Sequence, residues 1–283
     1  MSRVRGFRIA LLAALVLSAC ATGRRGGSST SESAILARTK LARELVGRGD
    51  WGRAFLMLDE LHRERPADAE ILTMRGIVYR ERGLFSDAEV DLKAAIKEQP
   101  ESAEAHAALG ILYDVQLRSE AEAQHKEAVR LAPNNAAYLN NLGFSLYLRQ
   151  HYKEAITVYE SAARLAPLSP RVRTNLGFAY AATGDLRRAA REFQMGGTEA
   201  DAKNNLGFAY ERRGDMANAF DLYIEAVRLD PKAERARSNL VHAALVLGRP
   251  VPPEAIQAPA AEAPEAAAPK TVSPDAPKQE THP

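Results

Sequence analysis

The sequence is poor in the side chains from which most catalytic and metal sites are built. It has one cysteine, Cys20, so no disulfide can form within the chain. Its six histidines are scattered with no His-x-x-x-His pair, and no phosphate-binding glycine loop or nucleophile elbow appears. We therefore expect a protein that is not an enzyme and that uses no metal, cofactor or small-molecule substrate.

Long apolar runs and an excess of one charge are also missing. The apolar run at residues 9–17 is shorter than the roughly 20 residues that a membrane-spanning helix needs. The chain has 38 Lys and Arg against 36 Asp and Glu, and loss of Arg3, Arg5 and Arg8 with a leader would leave 35 against 36. A near-neutral chain gives no electrostatic reason to expect nucleic acid as a partner.

The N-terminus has the pattern of an export signal, because three arginines precede a short apolar core. The following residues, Leu17, Ser18, Ala19 and Cys20, resemble the lipobox of bacterial lipoproteins. The resemblance implies a signal peptide over residues 1–19 and a lipidated Cys20 as the first mature residue. The alternative is an ordinary secretory signal that happens to end near a cysteine.

The resemblance also implies where the mature protein resides. Ala21 follows the lipid site in place of the aspartate that often signals retention in the inner membrane. We therefore expect a lipid anchor in the outer membrane, with the protein facing the periplasm. Residues 20–34 are small, polar and glycine-rich, which predicts a flexible tether.

A repeat of about 34 residues fills the middle of the chain. Prolines, glycines and alanines recur with nearly the same period, and proline marks helix boundaries because it cannot continue a helix interior. The recurring residues are Pro66, Pro100, Pro133, Pro167 and Pro231; Gly76, Gly110, Gly143, Gly177 and Gly207; and Ala54, Ala88, Ala121, Ala155, Ala189 and Ala219. This periodicity predicts a repeated helical hairpin.

The order Leu-Gly-x-x-Tyr, then Ala-x-x-x-aromatic, then Pro resembles the tetratricopeptide repeat (TPR). A good copy runs from Leu206 and Gly207 through Tyr210, Ala219 and Tyr223 to Pro231. The resemblance implies an all-α, right-handed superhelix of six hairpins and a capping helix over residues 35–248. Departures are Leu117 and Gln150 at two turns that elsewhere hold glycine, and a fifth repeat that is four residues short, so we expect a local change near residues 194–203.

The first helices of the later repeats share a candidate binding face. Asparagine and phenylalanine recur there with spacings of three and four, which places them on one side of a helix. We call these residues the Asn–Phe face: Asn141, Phe144, Tyr147, Asn175, Phe178, Asn205, Phe208 and Asn239. An amide can donate to and accept from a peptide group, so this face could hold an extended segment of a partner. The alternative is that these asparagines serve packing or solubility.

Two families of envelope proteins share features with this chain. The run from Arg173 to Asn205 is similar to TPR lipoproteins of tight-adherence pilus loci, and six repeats behind a lipidated N-terminus resemble the pilotins of type IV pili. The resemblance implies a non-catalytic scaffold for a pilus or secretion machine, with a secretin, pilus or secretion component as partner. Alternatives are an adaptor for peptidoglycan hydrolases or synthases, or a part of an envelope motility or outer-membrane biogenesis complex.

The C-terminal segment has a different composition from the repeats. Residues 249–283 contain 9 of the 15 prolines and no Phe, Tyr or Trp. Such a segment buries too little apolar surface to offset its chain entropy, which predicts a disordered tail. It could act as a spacer or as a short docking segment.

Overall fold

The computed structural model describes residues 25–256, without the side chains of residues 25–30, 254 and 256. Within that range the regular structure is helical and no strand occurs. The predicted signal peptide, Cys20 and the tail beyond residue 256 lie outside the described residues. None of the helices in the described range is long and apolar enough to cross a membrane.

The chain divides into two compact units, one ending at Glu98 and the other beginning at Gln99. The first unit contains α1 (Arg25–Gly47), α2 (Trp51–Glu64), α3 (Ala69–Glu81) and α4 (Phe85–Glu98). The second contains α5 (Ala103–Val115), α6 (Ala121–Leu131), α7 (Ala136–Leu148), α8 (Tyr152–Leu165), α9 (Pro170–Ala182), α10 (Leu186–Gly196), α11 (Glu199–Arg212), α12 (Met216–Leu229), α13 (Glu234–Leu247) and the single turn α14 (Pro253–Ile256).

Within each unit, every helix packs against the next one along the chain. The pairs α1–α2 and α3–α4 form hairpins in the first unit, and α5–α6, α7–α8, α9–α10 and α11–α12 form hairpins in the second. Helix α13 closes the second unit against α12 and α11. The predicted all-α fold of six hairpins and a capping helix is confirmed.

The hairpins close because the recurring small and large residues meet. A Cβ atom built on Gly177 would lie 2.5 Å from the Phe193 ring, and one on Gly143 would lie 2.7 Å from the Tyr159 ring. The same contact joins Gly76 to Leu92, Gly110 to His125, and Gly207 to Tyr223. The recurring alanines, such as Ala155 and Ala189, are fully buried. Glycine is therefore required where the backbone of one helix touches a large side chain of its partner.

Helix starts follow the capping rules. Side chains at the N-cap accept hydrogen bonds from backbone N–H groups of the first turn, which are otherwise unsatisfied. The capping residues are Asp50, Asp68, Ser102, Asn135, Ser169, Asp185, Thr198 and Asp215. Thr198 forms a full capping box with Asp201, and this lets α11 begin directly after the shortened fifth repeat.

The hairpin turns need left-handed backbone whether or not glycine is available. Gly184 has φ +91° and Gly214 has φ +82°, as expected for the residue type that adopts this region without strain. At the two turns where the sequence lacks glycine, Leu117 has φ +55° and Gln150 has φ +62°. The turn geometry is thus set by the hairpin, and these two residues carry its strain.

The boundaries of the repeat region differ from the expectation at both ends. Helix α1 begins at Arg25, so its first turns occupy part of the segment expected to be a tether over residues 20–34. At the other end, Val251 and Ala255 pack against the last apolar cluster, beyond the expected boundary at residue 248. The composition of these two short segments indicated neither the helical turns that begin at Arg25 nor the packing of Val251 and Ala255.

Candidate peptide-binding face

The Asn–Phe face lies entirely in the second unit, on helices α7, α9, α11 and α13. Helices α7, α9 and α11 are the first members of their hairpins and α13 is the capping helix; α7 touches α9, α9 touches α11, and α11 touches α13. Residues at the same repeat position on neighbouring helices therefore come side by side. The structure brings Phe178 and Phe208 together across α9 and α11, whereas several of the other predicted residues are buried.

Two of the predicted asparagines bond to asparagines of the neighbouring repeat. The Nδ2 group of Asn175 donates to Oδ1 of Asn140 at 2.9 Å, and Nδ2 of Asn239 donates to Oδ1 of Asn204 at 2.9 Å. Asn140 and Asn204 were not among the predicted site residues. The doubled asparagine before Leu-Gly in the fourth and sixth repeats was the available signal. The Nδ2 groups of Asn175 and Asn239 are thus committed to joining adjacent repeats. Asn175 and Asn205 are each only 8% exposed, so among the predicted asparagines only Asn239 is half-buried, and the expected contact of the other asparagines with a guest is corrected.

Asn141 departs from this arrangement. Its side chain is fully buried, and neither Oδ1 nor Nδ2 has a hydrogen-bond partner among the described residues. The residue that would correspond to Asn140 one repeat earlier is Ala107, which has no amide to offer. The expected role of Asn141 in contacting a guest is therefore corrected, because in this conformation a peptide cannot reach it.

The aromatic residues of the face form a partly exposed wall. The Phe178 ring lies 4.8 Å from Phe193 and 5.9 Å from Phe208, in both cases edge to face. Tyr147 lies 5.3 Å from Tyr152. Phe178, Phe208 and Tyr147 keep part of their surface in solvent. These three rings remain available for apolar contact with a guest.

Phe144 is the second correction to the predicted site. Its side chain is only 8% exposed and belongs to the apolar cluster that includes Leu142 and Tyr159. Helix α7 is buried along most of its length. Phe144 is therefore buried, although Phe178 and Phe208, at the same repeat position in α9 and α11, are half-buried. Sequence spacing cannot distinguish these two cases.

Arginines flank the aromatic wall, and the asparagine and phenylalanine pattern of the sequence did not mark them as site residues. Arg212 follows Asn205 and Phe208 at the spacing of one helix face, and its charge is close enough to Tyr147 to act on that phenol. Burial raises the pKa of Tyr147, and the Arg212 guanidinium opposes that rise. Arg171 stands at the start of the same face in α9, and burial lowers its pKa.

A buried polar cluster in the third and fourth repeats has the residue types of a catalytic triad but not its order. Oδ2 of Asp114 is 2.8 Å from Nε2 of His125, while Oδ1 of Asp114 accepts from Ser145 Oγ at 2.9 Å and from Arg149 at 3.0 Å. Nucleophilic catalysis needs the base next to the hydroxyl, with the carboxylate behind the base. Here the carboxylate stands between them, so the cluster ties α5, α6 and α7 together.

No group of three or more His, Cys, Asp or Glu side chains within residues 25–256 could hold a metal ion. Two further histidines make local contacts. His106 bonds to Gln124 and to the Pro100 carbonyl, and His242 lies 3.6 Å from Glu211. These imidazoles serve helix packing and surface pairing.

Family models match most of the repeat region. Models described as "Tetratricopeptide repeat" match residues 39–92, 73–136 and 200–229, and one described as "TPR repeat" matches residues 145–184. Together these spans cover more than half of the chain. Proteins built from this repeat are in general non-catalytic modules that bind other proteins.

One curated relative is the type IV pilus assembly protein PilF of Pseudomonas aeruginosa, which is 35% identical over 94 residues. The match covers 33% of this chain and 36% of PilF, so it spans only about a third of that relative. A solved structure of Pseudomonas aeruginosa PilF aligns with a TM-score of 0.59 at 19% identity, covering 75% of this chain and 96% of that one.

Two further solved structures share the fold. A TPR protein of Parabacteroides merdae aligns with a TM-score of 0.54 at 18% identity, covering 74% of this chain and 84% of that one. YrrB, described as a TPR protein with an unusual peptide-binding site, aligns with a TM-score of 0.51 at 21% identity, covering 66% and 96%. The sequence matches and the repeated hairpins agree that this chain belongs to the tetratricopeptide-repeat family.

Proposed function

We propose that this protein is a non-catalytic scaffold that captures extended segments of partner proteins on its Asn–Phe face during assembly of a pilus or secretion machine. The observation that carries the proposal is the pair of half-buried rings Phe178 and Phe208 on α9 and α11, with the half-buried Asn239 on α13, which offer apolar contact and a hydrogen-bonding amide. The similarity to PilF supports the choice of a pilus-type machine.

The proposed partner is a secretin, a pilus subunit or another secretion component. A photo-crosslinking amino acid placed at Phe208, which is half-buried on the face, would capture it in living cells. The matched control places the same amino acid at the exposed Arg191 on α10, a second helix of its hairpin. We expect crosslinks to a pilus or secretion protein from position 208 only, identified by mass spectrometry. Crosslinks to a peptidoglycan enzyme, or equal crosslinking from both positions, would contradict the proposal.

We further propose that the scaffold is held at the periplasmic face of the outer membrane by lipid on Cys20. The lipobox-like sequence ending at Cys20 and the alanine after it support this location. Two or more acyl chains give stable anchoring, since each buried methylene contributes about 0.8 kcal/mol. Metabolic labelling with a fatty acid should mark the wild-type chain in outer-membrane fractions and leave Cys20→Ser unlabelled. Labelling that persists in the variant would disprove the anchor.

A further inference from the structure

The margins of the Asn–Phe face carry positive charge. Arg212 continues the face of α11, spaced four and seven residues beyond Phe208 and Asn205. Arg235 precedes Asn239 and His242 by four and seven residues, so it lies on the same side of α13. Both guanidinium groups are exposed, and no carboxylate among the described residues lies within the 4.0 Å of an ion pair from either.

Two carboxylates of α11, Asp201 on the same side of the helix as Asn205 and Glu211 next to Arg212, accept hydrogen bonds or face a cation within the protein. The Asp201 carboxylate accepts from the backbone and the hydroxyl of Thr198 in the capping box. Glu211 accepts from the Tyr223 hydroxyl at 2.6 Å and faces His242 at 3.6 Å. These two carboxylates keep their charge but are held in helix capping and packing, while the Arg212 and Arg235 side chains are exposed and in no ion pair among the described residues.

We infer that the face selects extended partner segments in which carboxylates alternate with apolar side chains. This inference rests on the proposed function and specifies the chemistry of its guest. Apolar side chains of the guest would contact Phe178 and Phe208, and its carboxylates would accept charge-assisted hydrogen bonds from Arg212 and Arg235. Arg212 and Arg235 stand on α11 and α13, which pack against each other, so one extended segment that crosses both helices could meet both arginines.

The test uses the full chain and two fluorescent peptides of equal length with the same apolar residues, one containing glutamates and the other glutamines. We expect the glutamate peptide to bind about tenfold more tightly, because two charge-assisted bonds at partly exposed sites are involved. The preference should shrink as salt is added. Equal binding of the two peptides would overturn the inference.

Variants locate the preference on the face. Arg212→Gln with Arg235→Gln should reduce the affinity for the glutamate peptide to that for the glutamine peptide. The matched control is Arg213→Gln with Arg187→Gln, which removes the same charge from exposed positions outside the face. The control should keep the full preference. If the control loses as much affinity as the face variant, the effect comes from overall charge and the inference is wrong.

Two more variants distinguish charge selection from apolar capture alone and from occupation of the face by the chain's own C-terminal segment. If Phe208→Ala weakens the binding of both peptides equally and the wild type shows no charge preference, the result supports capture on the face and contradicts selection by charge. The chain's own residues Glu262, Glu265, Asp275 and Glu280 could also compete for the face. Replacing these four by their amides in the full chain should leave the affinity unchanged. A marked rise would assign the face to that C-terminal segment and overturn the inference of a partner.

Discussion

In the third repeat Gly110 faces the imidazole of His125, whereas in the fifth repeat Gly177 faces the phenyl ring of Phe193. Both rings are completely buried, and both glycines would place a Cβ atom less than 3 Å from the opposing ring. The backbone geometry of the hairpin is the same. What differs is the chemistry of the second residue, which is polar in one repeat and apolar in the other.

The difference extends to the residue four positions after each glycine. That residue is Asp114 in the third repeat, where it bonds to His125, and Ala181 in the fifth, where no bond is needed. A buried nitrogen heterocycle without a partner is costly, so the histidine requires the carboxylate. The comparison shows that the repeat needs a large side chain opposite glycine, and that a polar side chain at this position is matched by a local partner.

The largest expected effect comes from removing that carboxylate. Asp114→Ala leaves His125 without its hydrogen bond and Arg149 without its anion, in a buried site where loss of one partner costs about 3–5 kcal/mol. Urea denaturation should show this loss in the free energy of unfolding. The control, Glu120→Ala, removes an exposed carboxylate and should leave the midpoint unchanged. A similar small effect in both variants would mean that the buried cluster does not stabilise the repeat.

Overpacking the contact between Gly177 and Phe193 should lower the free energy of unfolding by less than the loss of Asp114. Gly177→Ala puts a methyl group 2.5 Å from the Phe193 ring, which the neighbours relieve only by moving, at about 1–3 kcal/mol. Gly52→Ala is the matched control, because its Cβ would have no neighbour within 4 Å and alanine favours helix. Thermal denaturation should show the first variant melting lower and the second melting at or above the wild type. Equal behaviour would show that close approach does not explain the recurring glycines.

The asparagine row offers a smaller contrast. Asn175→Ala leaves Oδ1 of the buried Asn140 without its donor, which should cost about 1–2 kcal/mol. Asn141→Ala removes an amide that bonds to nothing in the described chain, so its cost should be lower by about 1 kcal/mol. Chemical denaturation of both variants measures the difference. An equal or greater loss for the Asn141 variant would indicate that it has a partner, such as a buried water.

The smallest effect is expected at the two turns without glycine. Leu117→Gly and Gln150→Gly relieve a left-handed backbone in each, and should each raise the stability by about 0.5–1 kcal/mol. The reverse change, Gly214→Gln, introduces the same strain at φ +82° and should lower the stability by a similar amount. Melting temperatures of the three variants test this symmetry, and a loss of stability in the first two would contradict it.

The hairpins were predictable because their packing repeats along the sequence. Proline, glycine and alanine mark each helix boundary and each close contact, so spacing alone located thirteen helices. The left-handed turns at Leu117 and Gln150 were also foreseeable, since the surrounding repeats place glycine there. A periodic sequence determines local geometry well when every copy makes the same contacts.

The face was only partly predictable because exposure depends on neighbouring repeats. Asn141 and Phe144 have the same spacing as Asn205 and Phe208, yet Phe144 is buried while Phe208 keeps part of its surface in solvent. The bond from Asn175 to Asn140 joins residues 35 positions apart and follows from helix stacking. The asparagine and phenylalanine pattern gives no sign of Arg212, whose charge acts on Tyr147 only because the fold brings α7 and α11 close enough.

Hydrogen exchange of the full chain, alone and with the glutamate peptide bound, tests most directly whether a guest lies on the Asn–Phe face. We expect added protection in α9, α11 and α13, the helices that carry Phe178, Phe208 and Asn239, with α8, α10 and α12 unchanged. Protection confined to the second helices of the hairpins, or no change in any helix at saturating peptide, would contradict capture on this face.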